Sequence, residues 1–463
     1  MRSKRNFLTI TIVIAAVFFA SLEMTVLITA LPSLGKTFPS EVVWLPWLTT
    51  ISLLAAGVTL PLAGKLADAW GPKKPFLLGV ALFTGGSLLS SLVGVWLPDH
   101  LILLVLFRVL QGVGGGVFAP VGLKITSILY QGQKRTAIVG VAGAITPLAA
   151  LLGPIVGGTL VDHFPWQSIF LINVPVGLII GLSAILLMED TPSRVKTSID
   201  LRGALLLSVA TLSLMLGFTW GREYGIGSGR VIGGIFLAFL LVVFLYWLEK
   251  RHPAPMIDLD LIRERWMASI LALSFFHGLT MYSTLYFLSL YAQNHPAIRA
   301  SGSIAGMMLS PAALGQVIVA PLVGVSASKI GYRSLVILGI AIMALSHLVL
   351  AAEPTSIVFL AGLLILSRIG GSASSVPMAA AGLEARQAQA GIISGLRQLS
   401  NVLGGAIGPV LLSVLLRSTG EGTQAGFGHV FLVMTILLVA TIPLARLIPI
   451  KEIDTSAVIQ TRT

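Results

Sequence analysis

The chain has 463 residues, 56% of them hydrophobic and only 10% charged, with a mean hydropathy of +0.95. A soluble domain carries about 25% charged residues, so a water-soluble globular protein is excluded. The formal charge of +12 lies in short loops, where it reads as a topology and lipid-headgroup signal rather than as nucleic-acid binding.

A bilayer core about 30 Å thick needs about 20 apolar residues per helix, and such runs recur fourteen times along the chain. The first six are Phe7 to Leu31, Val42 to Leu62, Phe76 to Leu97, Leu101 to Leu123, Ala137 to Val161 and Ile169 to Met188. Ala204 to Thr219 and Val231 to Leu248 follow as a pair. The last six are Met267 to Ala292, Ile304 to Val325, Leu335 to Ala352, Ile357 to Leu383, Ile392 to Leu416 and Val430 to Leu447. The residues left over suffice for loops and tails, not for a separate soluble domain. Met1 to Arg5 is basic and precedes 25 largely apolar residues, too long for a signal-peptide core, so it reads as a retained first helix.

An even number of spans puts both termini on one face. With the N-terminus inside, cytoplasmic segments, counting Arg446 at the inner end of the last span, hold 22 of the 30 Lys+Arg, external ones five (Lys36, Arg222, Arg230, Arg299, Arg417), and three fall within spans. The positive-inside rule then predicts cytoplasmic termini; the expected setting is a prokaryotic plasma membrane. Cysteine is absent, which excludes disulfides and thiol chemistry.

A displacement of 260 residues reveals an internal repeat. Leu62, Gly64, Gly71, Leu78 and Gly79 fall on Leu322, Gly324, Gly331, Leu338 and Gly339, and the in-span Arg108 falls on Arg368. Phe18-Phe19-x-x-Leu22-x-Met24 likewise resembles Phe275-Phe276-x-x-Leu279-x-Met281, and Gly153-Pro154 resembles Gly408-Pro409. The expected fold is thus an all-α integral membrane protein of 14 helices: an N-terminal six-helix bundle over 1–190, a linker with two extra spans over 191–265, a second six-helix bundle over 266–450 and a cytoplasmic tail over 451–463. Two repeated bundles place a substrate site between them near the bilayer midplane, with access alternating by rocking.

Of the 18 Asp+Glu, only Glu23 lies deep within a span. A charge at the helix centre costs about 2.5 to 3.5 kcal/mol on insertion scales and marks a functional position by default, which makes Glu23 the candidate proton carrier. Arg108 lies seven residues into an inward-running span and Glu23 eight before the outer end of its own, so both sit roughly 10 to 12 Å below the external surface and equal depth permits an ion pair. Arg368 has no such mate, because Thr280 stands where the repeat places the second glutamate.

Between the second and third spans runs Gly64-Lys-Leu-Ala-Asp68-Ala-Trp-Gly71-Pro-Lys73-Lys74-Pro-Phe. Its glycines suit a tight turn and close helix approach, and Asp68 suits a helix cap or a basic partner. This segment resembles the loop signature of the major facilitator superfamily. Four other stretches are similar to motifs of its fourteen-helix drug:proton antiporter branch: Leu22 to Pro32, Arg108-Val-Leu-Gln111-Gly112-Val-Gly114, Gly153-Pro154-Ile-Val-Gly157-Gly158, and Trp166 to Gly177 including Asn173 and Pro175. Where that branch usually has Asp in the first helix this chain has Glu23; Ala69 replaces its loop arginine; and its further membrane acids are absent. The resemblance implies proton coupling at Glu23 and Arg108, a conformational switch at Gly64, Asp68, Gly71, Lys73 and Lys74, and an antiporter motif at Gly153, Pro154, Gly157 and Gly158.

Polar and aromatic residues that can line the cavity are Gln111, Asn173, Phe275, His277, Tyr282, Gln316, Gln398 and Asn401. His277 is the reserve proton site, because histidine ordinarily titrates near neutrality. No metal-spaced cluster, phosphate loop or ATPase module is present in the sequence, so the expected energy source is a proton gradient, without metal or cofactor. The leading reading is a proton-coupled antiporter that exports cationic or neutral lipophilic drugs, works as a monomer, and has a small lipophilic substrate and membrane lipids as its partners. A lipid or lipophilic-metabolite transporter on the same fold is the nearer alternative, and a non-transporting sensor or scaffold the more distant one.

Overall fold

The computed structural model describes residues 2–38, 45–93, 101–190, 200–225, 227–250, 259–300, 302–418 and 424–448. The expected tail over 451–463 lies outside them. The described regular structure is helical. In the first half α1 (Arg2–Thr37), α2 (Leu45–Trp70), α3 (Lys73–Leu92), α4 (Leu101–Leu129) and α5 (Gly132–His163) precede a short α6 (Ser168–Leu171) and α7 (Asn173–Leu187). α8 (Leu201–Tyr224) and α9 (Gly229–Glu249) pack on each other as a hairpin. After α10 (Leu259–Arg263) come α11 (Arg265–Asn294), α12 (Gly302–Ile330), α13 (Tyr332–Leu350), α14 (Ile357–Ala385), a single 3-10 turn, α15 (Ala390–Ser418) and α16 (Gln424–Ala445).

Among the described residues twelve helices are long and apolar enough to cross a membrane, and the apolar stretches Leu205–Trp220 of α8 and Pro311–Ala327 of α12 stand where the expected seventh and tenth spans lie, within helices of 24 and 29 residues. The sixth span is interrupted rather than continuous, because Pro175 has no N–H to donate to the carbonyl of Leu171 and the ladder breaks between α6 and α7.

Repetition is visible in the packing. Gly71 and Gly331 both take positive φ, +79° and +91°, so the same turn follows α2 and α12. A methyl at Gly79 would press on Val117 and the Gly114 carbonyl, and one at Gly339 would meet the Gly370 carbonyl and the Ser374 amide. The α3·α4 and α13·α14 crossings are therefore the same close approach, made possible by a small residue at the same repeat position.

Two seams join the halves, α2 against α15 and α5 against α12. α8 packs on both α2 and α15, with Met215 against Gly57, and Leu207 lies in an apolar cluster with Ile392, Ile393 and Leu396. The outer faces are apolar and exposed, as at Leu178, Ile179, Leu182 and Leu186 of α7 and Phe236, Phe239 and Phe244 of α9. Such faces suit hydrocarbon.

Candidate functional site

Charges inside the first half form a closed network. Arg108 is fully buried on α4 and Glu23 is 4% exposed on α1, and they form an ion pair through Arg108 Nη1 and Glu23 Oε1. Arg108 Nε donates to the Leu48 carbonyl of α2 at 2.9 Å, and Nη1 also donates to Gln111 Oε1 at 3.0 Å. Gln111 Nε2 continues to Ser87 Oγ of α3 at 2.6 Å, while Ser52 Oγ returns a hydrogen bond to the Arg108 carbonyl at 2.9 Å. The guanidinium thus ties α1, α2, α3 and α4 together. A buried pair that loses one member costs about 3 to 5 kcal/mol, so a change in charge at Glu23 is felt by all four helices.

The antiporter-motif glycines divide by face. Gly153 and Gly157 are buried one turn apart on α5, and a methyl at Gly153 would overlap the Thr25 hydroxyl of α1. Thr25 Oγ1 donates to the Ala149 carbonyl at 3.2 Å. The close α1·α5 contact is therefore made two residues from Glu23. Pro154 is exposed, and Gly158 has no neighbour that an added methyl would meet.

At the end of the bundle that carries the α2–α3 turn, the halves are clasped. Asp68 accepts from the Gly391 and Ile392 amides at the start of α15, at 3.1 and 2.9 Å, and pairs with Lys124 at 2.7 Å. Lys124 Nζ also donates to the Gln387 and Ala388 carbonyls at 3.0 and 2.8 Å. A carboxylate on the first amides of a helix is stabilised by the orphan N–H groups and the dipole there. Gly64 and Gly391 approach so closely that a methyl on either would overlap the other's carbonyl, and across the α5·α12 seam a methyl at Gly140 would overlap the Ala320 carbonyl and one at Gly324 the Thr136 carbonyl. A second clasp joins Arg135 of α5 to Glu384 of α14 at 2.9 Å.

Of the loop residues named from sequence, Gly64 and Asp68 lie in the clasp and Gly71 makes the turn. Lys73 instead donates to the Ile185 carbonyl at 3.2 Å and lies 3.8 Å from Asp190, while Lys74 is exposed. Lys124, Arg135 and Glu384 were not foreseen. Hydropathy ended the fourth span at Leu123, whereas α4 continues to Leu129 with Lys124 buried inside it. The signal available was the repeat itself, since Lys124 and Glu384 stand 260 residues apart.

The expected cavity residues separate into two groups. Gln111 belongs to the arginine network, and Asn173 lies beside Ala16, Phe83, Thr84 and Phe118 inside the first half rather than against the second. Phe275, His277 and Tyr282 lie on α11, with His277 Nδ1 3.3 Å from Ser374 Oγ of α14, and with the Tyr282 ring against Gly405 of α15. Asn401 Nδ2 donates to the Ser274 carbonyl at 3.2 Å, and Gln398 Oε1 accepts from Arg397 at 3.3 Å. Gln316 is half-buried on α12, apart from this cluster. Among the described residues no group of His, Cys, Asp and Glu is placed to hold a metal ion.

The sequence profile described as Major Facilitator Superfamily matches residues 13–296 and 270–462. The chain is 28% identical over 424 residues to the multidrug transporter protein MdtP of Bacillus subtilis, covering 90% of this chain and 76% of that one. It is 29% identical over 418 residues to the tetracenomycin C resistance and export protein of Streptomyces glaucescens, covering 89% and 76%. Over 465 residues it is 30% identical to the putative multidrug resistance protein MdtD of Klebsiella pneumoniae, covering 96% and 95%. Its fold is similar to that of the proton:xylose symporter XylE, with a TM-score of 0.70 at 15% identity over 97% of each chain.

Proposed function

The chain belongs to the Major Facilitator Superfamily, and from that premise we propose that it is a proton-coupled antiporter that exports lipophilic drugs by alternating access. Glu23 takes a proton from outside and releases it inside. Its protonation removes the charge that Arg108 is paired with and loosens the network across α1 to α4. A ligand shifts a conformational equilibrium only by its differential affinity for the two states, and here that difference is the ion pair. The likeness to proteins named for multidrug transport and resistance, from Bacillus, Streptomyces and Klebsiella, supports drugs as the cargo and a bacterial plasma membrane as the setting.

The observation that carries this reading is the buried Glu23–Arg108 pair and its hydrogen-bond shell. The route from proton to motion is short. Thr25, two residues after Glu23 on α1, packs into Gly153 of α5, and α5 forms the seam with α12. With both termini in the cytoplasm, the clasped end is the cytoplasmic one. Asp68, Lys124, Arg135 and Glu384 then act as the inner gate.

Proton movement in proteoliposomes under an imposed pH gradient tests the reading, with cationic, neutral and zwitterionic lipophiles added singly. Wild type shows ligand-evoked proton flux, and Glu23→Gln loses it while still binding ligand. Undiminished proton-driven export by Glu23→Gln overturns the mechanism.

A further inference from the structure

The membrane part of the second half is cationic, and among the described residues no carboxylate neutralises it. Between residues 266 and 450 the only acids are Glu353, Glu384 and Glu421; Glu421 lies outside the described residues, Glu384 stands at the end of α14 and Glu353 beyond the end of α13. Glu353 accepts from the Gly428 amide at 2.8 Å, and Glu384 is taken by Arg135. Yet Arg368 of α14 is 7% exposed, and Arg397 of α15 is half-buried with its Nε buried and without a partner. Among the described residues no carboxylate pairs with either. Both guanidinium groups lie within electrostatic reach of His277, and Arg368 within reach of the Tyr282 hydroxyl.

These groups form a column. Counted from the clasped end at 1.5 Å per residue, Arg397 lies roughly 10 Å along α15, His277 roughly 18 Å along α11, and Arg368 and Tyr282 roughly 25 Å along α14 and α11. At its foot, Gly395 packs against the Leu60 carbonyl of α2, so Arg397 stands just above the seam between the halves. An arginine held in a low-dielectric interior is retained where it meets a counter-charge. In the first half Glu23 supplies one; among the described residues of the second half no carboxylate does.

We infer that Arg368 and Arg397 form a cationic wall that binds an anionic headgroup on an apolar tail, so that the cargo is an anionic amphiphile rather than the cationic drug suggested by sequence. This inference rests on the transport reading for its word cargo. The binding site stands by itself, and its test is a binding measurement.

The probe is dansyl-labelled undecanoate, compared with its methyl ester and with a trimethylammonium compound of the same tail, titrated by fluorescence onto the full chain in phosphatidylcholine nanodiscs. Wild type binds the carboxylate about tenfold more tightly than the ester, as expected for one charge-assisted hydrogen bond in a partly buried setting, and the ammonium compound most weakly. Arg368→Gln and Arg397→Gln together bring the carboxylate down to the level of the ester, and each alone brings it part of the way. Arg397→Lys keeps part of the preference. Unchanged ester affinity in every variant shows that the fold is intact. Tighter binding of the ammonium compound, or a carboxylate preference that survives Arg368→Gln with Arg397→Gln, overturns the inference. Phosphatidylglycerol added to the nanodisc separates two sources of the anion: competition that Arg397→Gln abolishes assigns the wall to a lipid headgroup, and undisturbed probe binding assigns it to a free amphiphile. Proton flux that persists in Glu23→Gln would overturn the coupling mechanism and leave these affinities as they are.

Discussion

The two halves of this molecule share their packing and differ in their charge. The same glycine crossing recurs at Gly79 and Gly339, and the same left-handed turn at Gly71 and Gly331. Arg108 and Arg368 occupy equivalent positions. In the first half the arginine meets Glu23; in the second the equivalent place is held by Thr280, fully buried, whose hydroxyl donates to its own helix at Phe276. Duplication therefore preserved what helix contact requires and let the chemistry diverge. One half holds an arginine paired with a buried acid, and the other holds two arginines that no described carboxylate meets.

The largest expected effect tests this contrast directly. Arg108→Ala removes the partner of a buried acid together with the bonds to Leu48 and Gln111, and is expected to destabilise the protein by about 3 to 5 kcal/mol. Arg368→Gln removes a charge that has no carboxylate partner, and is expected to leave stability unchanged or to raise it. Thermal unfolding of the two variants in one detergent is the check. Equal losses would mean that Arg368 is as firmly paired as Arg108, and the contrast between the halves would fail.

The clasped end is a second comparison, because it is built from two unlike clasps on repeat-related positions. Lys124 and Glu384 are repeat mates of opposite sign, one holding Asp68 and the start of α15, the other held by Arg135. Since the chain has no native cysteine, a single one at Ser394, buried between Gly391 and Gly395, reports opening by its rate of thiol labelling. Lys124→Met is expected to raise that rate about tenfold, as loss of a charged hydrogen-bond set would. Glu384→Gln is expected to act less strongly, and the two effects to add, since the clasps share no residue. A double variant no faster than Lys124→Met alone would show that the Arg135 clasp has no part in closure.

How much of this was legible in the sequence follows from where each signal is stored. Glu23 and Arg108 stood out because a charge within an apolar run is rare, and helix geometry alone set them at equal depth. The repeat showed through glycines, whose positions are fixed by close contact. Lys124 was hidden because hydropathy ends a span at the first charge, whereas the helix continues when that charge is satisfied internally. Its partners, the carbonyls of Gln387 and Ala388, are backbone atoms more than 260 residues away, and no side-chain pattern marks a backbone acceptor. Asn173 was misplaced for a related reason. Its helix is known from hydropathy, but the face it turns to α3 is set by the break at Pro175, which only the folded chain reveals.

The smallest expected effects lie within one motif and oppose each other in sign. Gly153 and Gly158 are both glycines of the α5 run, yet a methyl at Gly153 would overlap the Thr25 hydroxyl and one at Gly158 meets nothing. Gly153→Ala is therefore expected to cost about 1 to 3 kcal/mol by overpacking, and Gly158→Ala to stabilise by about 0.5 to 1 kcal/mol through helix propensity. Thr25→Ala should restore Gly153→Ala, since it removes the atom in conflict. Transport should follow the same order if the α1·α5 contact relays the state of Glu23, with Gly153→Ala slowed, Gly158→Ala normal and the Thr25 double variant recovered. Equal damage from both alanines would place the motif's role in backbone bending rather than in the approach of α5 to α1.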